Sequence, residues 1–194
     1  MGLLVMILGL VLFLGVHTLT TQREVRARVI ATAGEGGYKI GYSLVSAAGL
    51  ALIIWGFAHY RATGWIDVWY PPVAFKHIAV ALMLPAVILV VASYIRGRIY
   101  TTLKHPMLAG VKLWAAAHLL ANGDLGSIIL FGSFLGWAVF DRISLKRRGD
   151  AGAPPIPVGG PANDLIAIAV GVVAYLALAF AFHPVVIGVP VVGA

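Results

Sequence analysis

Hydrophobic positions along this chain fall in long unbroken runs separated by short polar stretches. Six runs can be placed, at Gly2–Leu19, Ile40–His59, His77–Tyr94, Pro106–Ala121, Leu125–Leu145 and Asp164–Phe182. Each is about the length a helix needs to cross a ~30 Å hydrocarbon core. Inside lipid every backbone N–H and C=O must be bonded within the structure, so helices are the form these runs take. The every-second-residue alternation of a transmembrane barrel is absent. The pattern predicts an all-α polytopic integral membrane protein, a bundle of six transmembrane helices.

Composition strengthens that expectation. Of 194 residues, 61% are hydrophobic and only 11% charged, too little polar surface to cover a water-soluble domain of this size. The formal charge of +7 raises the question of nucleic acid, but the 14 Lys and Arg are scattered over short connections and form no continuous basic stripe. No nucleic-acid partner is expected; membrane lipid is. The chain has no cysteine, which excludes thiolate iron–sulfur clusters, Cys-ligated zinc, disulfides and a Cys nucleophile.

The connections also set an orientation. The first carries Arg23, Arg26, Arg28 and Lys39, the third Arg96, Arg98 and Lys104, and the fifth Lys146, Arg147 and Arg148 after Arg142. The second has only Arg61 and Lys76, and the fourth, residues 122–124, has no base. By the positive-inside rule the odd connections lie in the cytoplasm and both termini on the periplasmic side of a bacterial inner membrane. The first run lacks a basic leader and a cleavage site, so it reads as a retained helix.

Three domain-level segments follow: a five-helix core over residues 1–148, a Pro/Gly-rich cytoplasmic linker over 149–163, and a sixth helix with an apolar tail over 164–194. The linker should be flexible and the tail, HPVVIGVPVVGA, should lie along the outer interface. GWIDVWYPP, residues 64–72, reads as an outer interfacial aromatic anchor. Gly41 and Gly49, Ala109 and Gly110, and Gly132 and Gly136 are expected to let helices approach closely. There is no internal repeat.

Histidine carries most of the remaining chemical potential, since polar side chains inside a bilayer are costly. Of the six, His59 and His183 sit at run ends beside Tyr60 and Pro184 and suit an interfacial role. His77, after Lys76, is open to either reading. His17 and His118 lie within runs and favour a ligand or catalytic role. The seven acids all fall in connections or at helix ends, which disfavours a carboxylate-rich iron or zinc site. Haem suits the composition better, because two neutral imidazoles can hold its iron without buried charge. Trp114 shares the face of His118 at four-residue spacing and could pack on it, and the small residues Ala115–Ala117 would leave room for a flat macrocycle. Lys112 either snorkels to the inner interface or meets a haem propionate or another anionic ligand. Asp141 and Arg142 are placed to pair with Arg96, Arg98 or Lys104. His105-Pro106 reads as a helix start.

GVHTLTTQREVRARV, KHPMLAGVKLWAAAHLLANGDL and GWAVFDRISLKRR together resemble the NnrU family, bacterial inner-membrane proteins linked to denitrification and to expression of nitrite and nitric oxide reductases. The resemblance is carried by residues 1–148 and is weakest in the last helix. The same core is similar to the plastid 15-cis-zeta-carotene isomerases, membrane enzymes that use haem b to isomerise a polyene. Carried across by motif, their proposed axial ligands fall on His17 and His118. Their cysteine three residues before the second histidine is Ala115 here, which argues against ligand switching and against cis–trans isomerase activity. KHPMLAG is also similar to an Arg-His-Pro stretch of isoprenylcysteine carboxyl methyltransferases, but Lys replaces Arg and the acidic, Arg-rich continuation is missing. The resemblance implies an NnrU-type haem-b protein supporting denitrification, with nitric oxide, or alternatively an apolar polyene, as ligand and other membrane proteins as partners. A haem-dependent isomerase and a cofactor-free membrane scaffold stand as alternatives.

The orientation places His17 toward the cytoplasmic side and His118 toward the outer side, a depth difference of ~12–15 Å. Pairing by depth would instead join His77 to His118 and His17 to His105. His77 and His105 therefore stand as alternate ligands.

Overall fold

The computed structural model describes residues 1–148 and 156–191. Among the described residues seven α-helices follow one another: α1 (Gly2–Leu19), α2 (Arg23–Thr63), α3 (Val73–Ala92), α4 (Arg98–Leu103), α5 (Pro106–Ala121), α6 (Leu125–Arg148) and α7 (Pro161–Ala177). The last continues as a π-helix, Leu178–Ile187. Among the described residues there is no β-strand, only an isolated bridge between Asp67 and Asp124. The chain is an all-helical, multi-pass membrane protein. Among the described residues five helical stretches are long and apolar enough to cross a bilayer: Gly2–Leu19, Arg23–Thr63, Val73–Ala92, Leu125–Arg148 and Pro161–Ile187. The remaining apolar run forms α5, whose 16 residues extend ~24 Å, short of the ~30 Å core.

The described residues form two compact units, 1–70 with 122–148, and 71–121 with 156–191. In the first, α1 packs along α2, with α6 against both. The short turn between α1 and α2 explains their pairing. Thr20 and Thr21 donate their hydroxyls back to the carbonyls of His17 and Thr18, at 2.7 Å each, closing α1. The expected first cytoplasmic connection is largely helical, as an extension of α2. A break occurs at Gly34, whose φ of 72° and ψ of 164° suit glycine, and beyond it Lys39 pairs with Glu35 at 2.7 Å. That partner holds the exposed Glu35 carboxyl below its ordinary range.

The α1–α2 seam is built on glycine. A Cβ on Gly9 would lie 2.6 Å from the Ile53 amide nitrogen and 2.7 Å from the Gly49 carbonyl oxygen, and one on Gly49 2.8 Å from the Phe13 nitrogen. Gly2 and Gly56 meet the facing backbone at Tyr60 and Met6 just as closely. Helices in lipid gain nothing by hiding from water, so such backbone contact supplies dispersion energy instead. Of the six small residues expected to do this, Gly49 and Gly110 do. Gly41, Gly132 and Gly136 do not, since a Cβ on any of them would meet nothing within 4 Å.

The far end of this unit is closed by its two connections. Val68 and Trp69 donate to the Gly123 carbonyl at 2.9 and 3.0 Å, and Leu125 donates to Ile66 at 2.9 Å. Tyr60, 1% exposed, accepts from the Ile66 amide at 3.1 Å. The aromatic stretch is therefore fastened by backbone pairing, although Trp65 and Tyr70 remain exposed as the anchor reading expects. At the other end Asp141 pairs with Arg148 at 2.9 Å, and Arg148 also donates to the Thr20 carbonyl at 3.2 Å. Asp141 thus takes a basic partner from its own helix.

In the second unit α5 and α7 both pack on α3. Gly110 lets α5 reach the Ala86 carbonyl, 2.8 Å from a Cβ placed there, and Gly171 lets α7 reach Ile88. The carboxylate of Asp164 accepts from the Arg98 and Ile99 amides at 2.9 Å each, capping α4 from the start of α7. The described part of the expected linker is fastened too. Gly159 donates to the Arg96 carbonyl at 2.8 Å, and Arg96 donates to the Ile156 carbonyl at 3.1 Å. Residues 149–155 of that linker lie outside the described residues. The tail does not leave the helix at Phe182. It runs on through Pro184 in π register to Ile187 and ends at Gly188, whose φ is 75°. A proline inside a helix removes one i→i−4 bond, and the wider register is a local way to absorb that loss.

Candidate functional site

His17 closes α1 in an aromatic setting within the first unit. Its ring stacks on Phe13 at 4.2 Å, lies 5.2 Å from Tyr42, and meets Trp137 edge-on at 5.8 Å. Its Nδ1 is 2.6 Å from the Phe13 carbonyl oxygen. A carbonyl only accepts, so Nδ1 donates to it. The neighbouring Trp137 Nε1 is buried without an acceptor among the described residues.

His118 stands near the end of α5 in the second unit and repeats the device. Its Nδ1 is 2.8 Å from the Trp114 carbonyl oxygen, to which it donates. A backbone carbonyl holding the non-ligating nitrogen is the usual support of a metal-bound histidine. The Trp114 ring is 5.4 Å from that of His118, tilted by 52°. The ring of His183 comes to 6.2 Å from it on the other hand, tilted by 33°. Sequence reading assigned His183 to the interface because the last run seemed to stop at Phe182. Continuation of the helix to Ile187 returns it to the bundle.

The other candidates are placed as follows. Lys112 is half-buried on α5, His105 is half-buried just before it, and His77 is exposed near the start of α3. His59 stacks on Trp55 at 5.6 Å, consistent with an interfacial pair. Ala115 and Ala117 are fully buried and Ala116 is half-buried.

The donor set discriminates between cofactors. Among the described residues no three His, Cys, Asp or Glu side chains gather as a metal site. A bare zinc or iron ion would want three or four protein ligands. A porphyrin supplies four nitrogens itself and asks the protein only for axial ligands, which neutral imidazoles provide. The residues present fit haem in that respect.

No curated protein and no solved structure matches the chain. The family model described as NnrU protein matches residues 5–191, through α7 and its π-helical continuation as well as the first six helices. The chain belongs to the NnrU family.

Proposed function

We propose that this NnrU protein binds haem b within a bacterial inner membrane and supports denitrification, with His118 as an axial ligand. The observation that carries the reading is the orientation of His118. A histidine in an apolar helix has its Nδ1 committed to the Trp114 carbonyl, the support usual for a metal-bound imidazole. Haem, when bound, supplies an iron with one-electron chemistry and affinity for nitric oxide. The protein's part is to hold His118 in one tautomer and rotamer, to keep the ring in apolar surroundings beside Trp114, and to deliver it without a buried charge.

The basic connections support an arrangement of six spans with both termini periplasmic, in which α5 crosses by thinning the bilayer locally. Family membership supports a role in the expression or function of nitrite and nitric oxide reductases.

The test is an optical spectrum of detergent-purified protein from haem-replete cells, oxidised and dithionite-reduced, for wild type and His118→Ala. Stoichiometric b-type bands that are lost or altered in the variant are expected. A wild type without a Soret band would overturn the haem reading. In denitrifying cells lacking the chain, nitrite or nitric oxide should accumulate, and the His118→Ala form should fail to restore turnover.

A further inference from the structure

We infer that the first unit holds a binding site for an anionic phosphate ester, seated in a cleft between the start of α2 and the end of α6. The site is independent of the haem reading.

The cleft has a volume of about 380 Å³, within the ~300–1,000 Å³ of small-ligand sites, and is lined by Thr21, Gln22, Arg23, Glu24, Val25 and Arg148. Arg148 gives it a fixed charge. Its side chain is 12% exposed, and its terminal nitrogens are held by Asp141 at 2.9 Å and by the Thr20 carbonyl at 3.2 Å. Those two contacts orient the planar fork and leave other N–H groups of it uncommitted, which suits the oxygens of a phosphate. Arg23 brings a second, exposed guanidinium from α2.

The backbone adds donors. The first bond of α2 runs from the Arg26 amide to the Gln22 carbonyl at 2.9 Å, so the Glu24 and Val25 amides have no acceptor within the helix. Gln22 makes no side-chain capping bond. An anion there also meets the positive end of the helix dipole. Glu24 is the acid among the lining residues, and its carboxylate lies 3.8 Å from Arg28, one turn along α2.

The position of the cleft selects the source of the phosphate. Thr21 and Gln22 come directly after the apolar helix that ends at Leu19, and basic residues follow on α2. That is the level of lipid headgroups, so the phosphodiester of an anionic phospholipid is the expected occupant.

The experiment is native mass spectrometry of the full-length protein in detergent, titrated with phosphatidylglycerol, with diacylglycerol of the same acyl chains, and with glycerol 3-phosphate. Phosphatidylglycerol should bind and diacylglycerol should not. Arg23→Gln should weaken phosphatidylglycerol binding roughly tenfold, as loss of one charge-assisted contact does. Arg148→Lys, which keeps the charge and loses the fork, should weaken it as well. Glu24→Gln should tighten it. Arg147→Gln removes the same charge from an exposed residue outside the cleft and should change the affinity by no more than roughly twofold. Far-ultraviolet circular dichroism checks that each variant is folded. Equal affinity in Arg23→Gln and Arg147→Gln, or diacylglycerol binding as well as phosphatidylglycerol, would overturn the site. Glycerol 3-phosphate binding as tightly as phosphatidylglycerol would uphold the phosphate site and overturn lipid as its source.

Discussion

Replacing Gly9 by alanine is the sharpest probe of the α1–α2 seam. The new methyl carbon would sit 2.6 Å from the Ile53 nitrogen, 2.7 Å from the Gly49 carbonyl oxygen and 2.9 Å from the Leu52 Cβ. Two of those three are backbone atoms and cannot rotate away. Contact at ~3.5 Å therefore requires the helices to part by somewhat under 1 Å, a gap that forfeits a quarter to a half of each ~0.1–0.2 kcal/mol atom pair along the seam. Over a few tens of pairs the loss is ~1–3 kcal/mol, the usual range for overpacking. Alanine's better helix propensity returns at most ~1 kcal/mol. The net expectation is a destabilisation of about 1–2 kcal/mol, or roughly five- to thirtyfold in the unfolding equilibrium. Gly15 is the internal control, since it lies on the same helix and a Cβ there would meet nothing within 4 Å. Gly15→Ala should be neutral or stabilise by up to ~1 kcal/mol. Unfolding in mixed micelles titrated with dodecyl sulfate, followed by far-ultraviolet circular dichroism, separates the two. Equal stability of Gly9→Ala and Gly15→Ala would refute the seam.

Three further substitutions test one contact in each unit. Asp164→Ala removes both 2.9 Å acceptors from the Arg98 and Ile99 amides and should cost about 1–2 kcal/mol, with faster hydrogen exchange at those two amides; unchanged exchange would mean the cap contributes nothing. The Asp141–Arg148 pair is only 14% and 12% exposed, so Arg148→Met should cost about 2 kcal/mol or more, whereas Asp141→Leu combined with Arg148→Met should recover much of the loss. A double-mutant cycle with no coupling between the two positions would contradict that account.

The candidate residues could be named before any geometry. His17, His118 and Trp114 stand out because polar or amphipathic side chains in apolar runs are scarce, and four-residue spacing puts Trp114 beside His118 on any helix. His183 was not legible as a ring neighbour of His118. A histidine followed by proline at the end of an apolar run looks the same whether the helix stops or shifts into π register. Only the backbone distinguishes the two, and it places the ring 6.2 Å from His118.

The sequence by itself determined the class of the protein. Lipid leaves the backbone no partner but itself, so apolar runs of this length become helices, and α1 and α5 occupy the expected Gly2–Leu19 and Pro106–Ala121. Resemblance in the motifs sufficed to identify the family. Tertiary structure alone decided which small residues matter. Gly9, Gly56, Gly126 and Gly171 meet neighbouring atoms, while Gly41, Gly132 and Gly136 face open space, though all read alike in the chain. It also decided that Asp141 pairs with Arg148 seven residues on, and that Asp164 caps a helix 66 residues before it. A glycine, a carboxylate or an imidazole states what it can do. Which neighbour it meets depends on helix rotation and register, and in an apolar sequence the composition of each helix face leaves these nearly free until the helices pack.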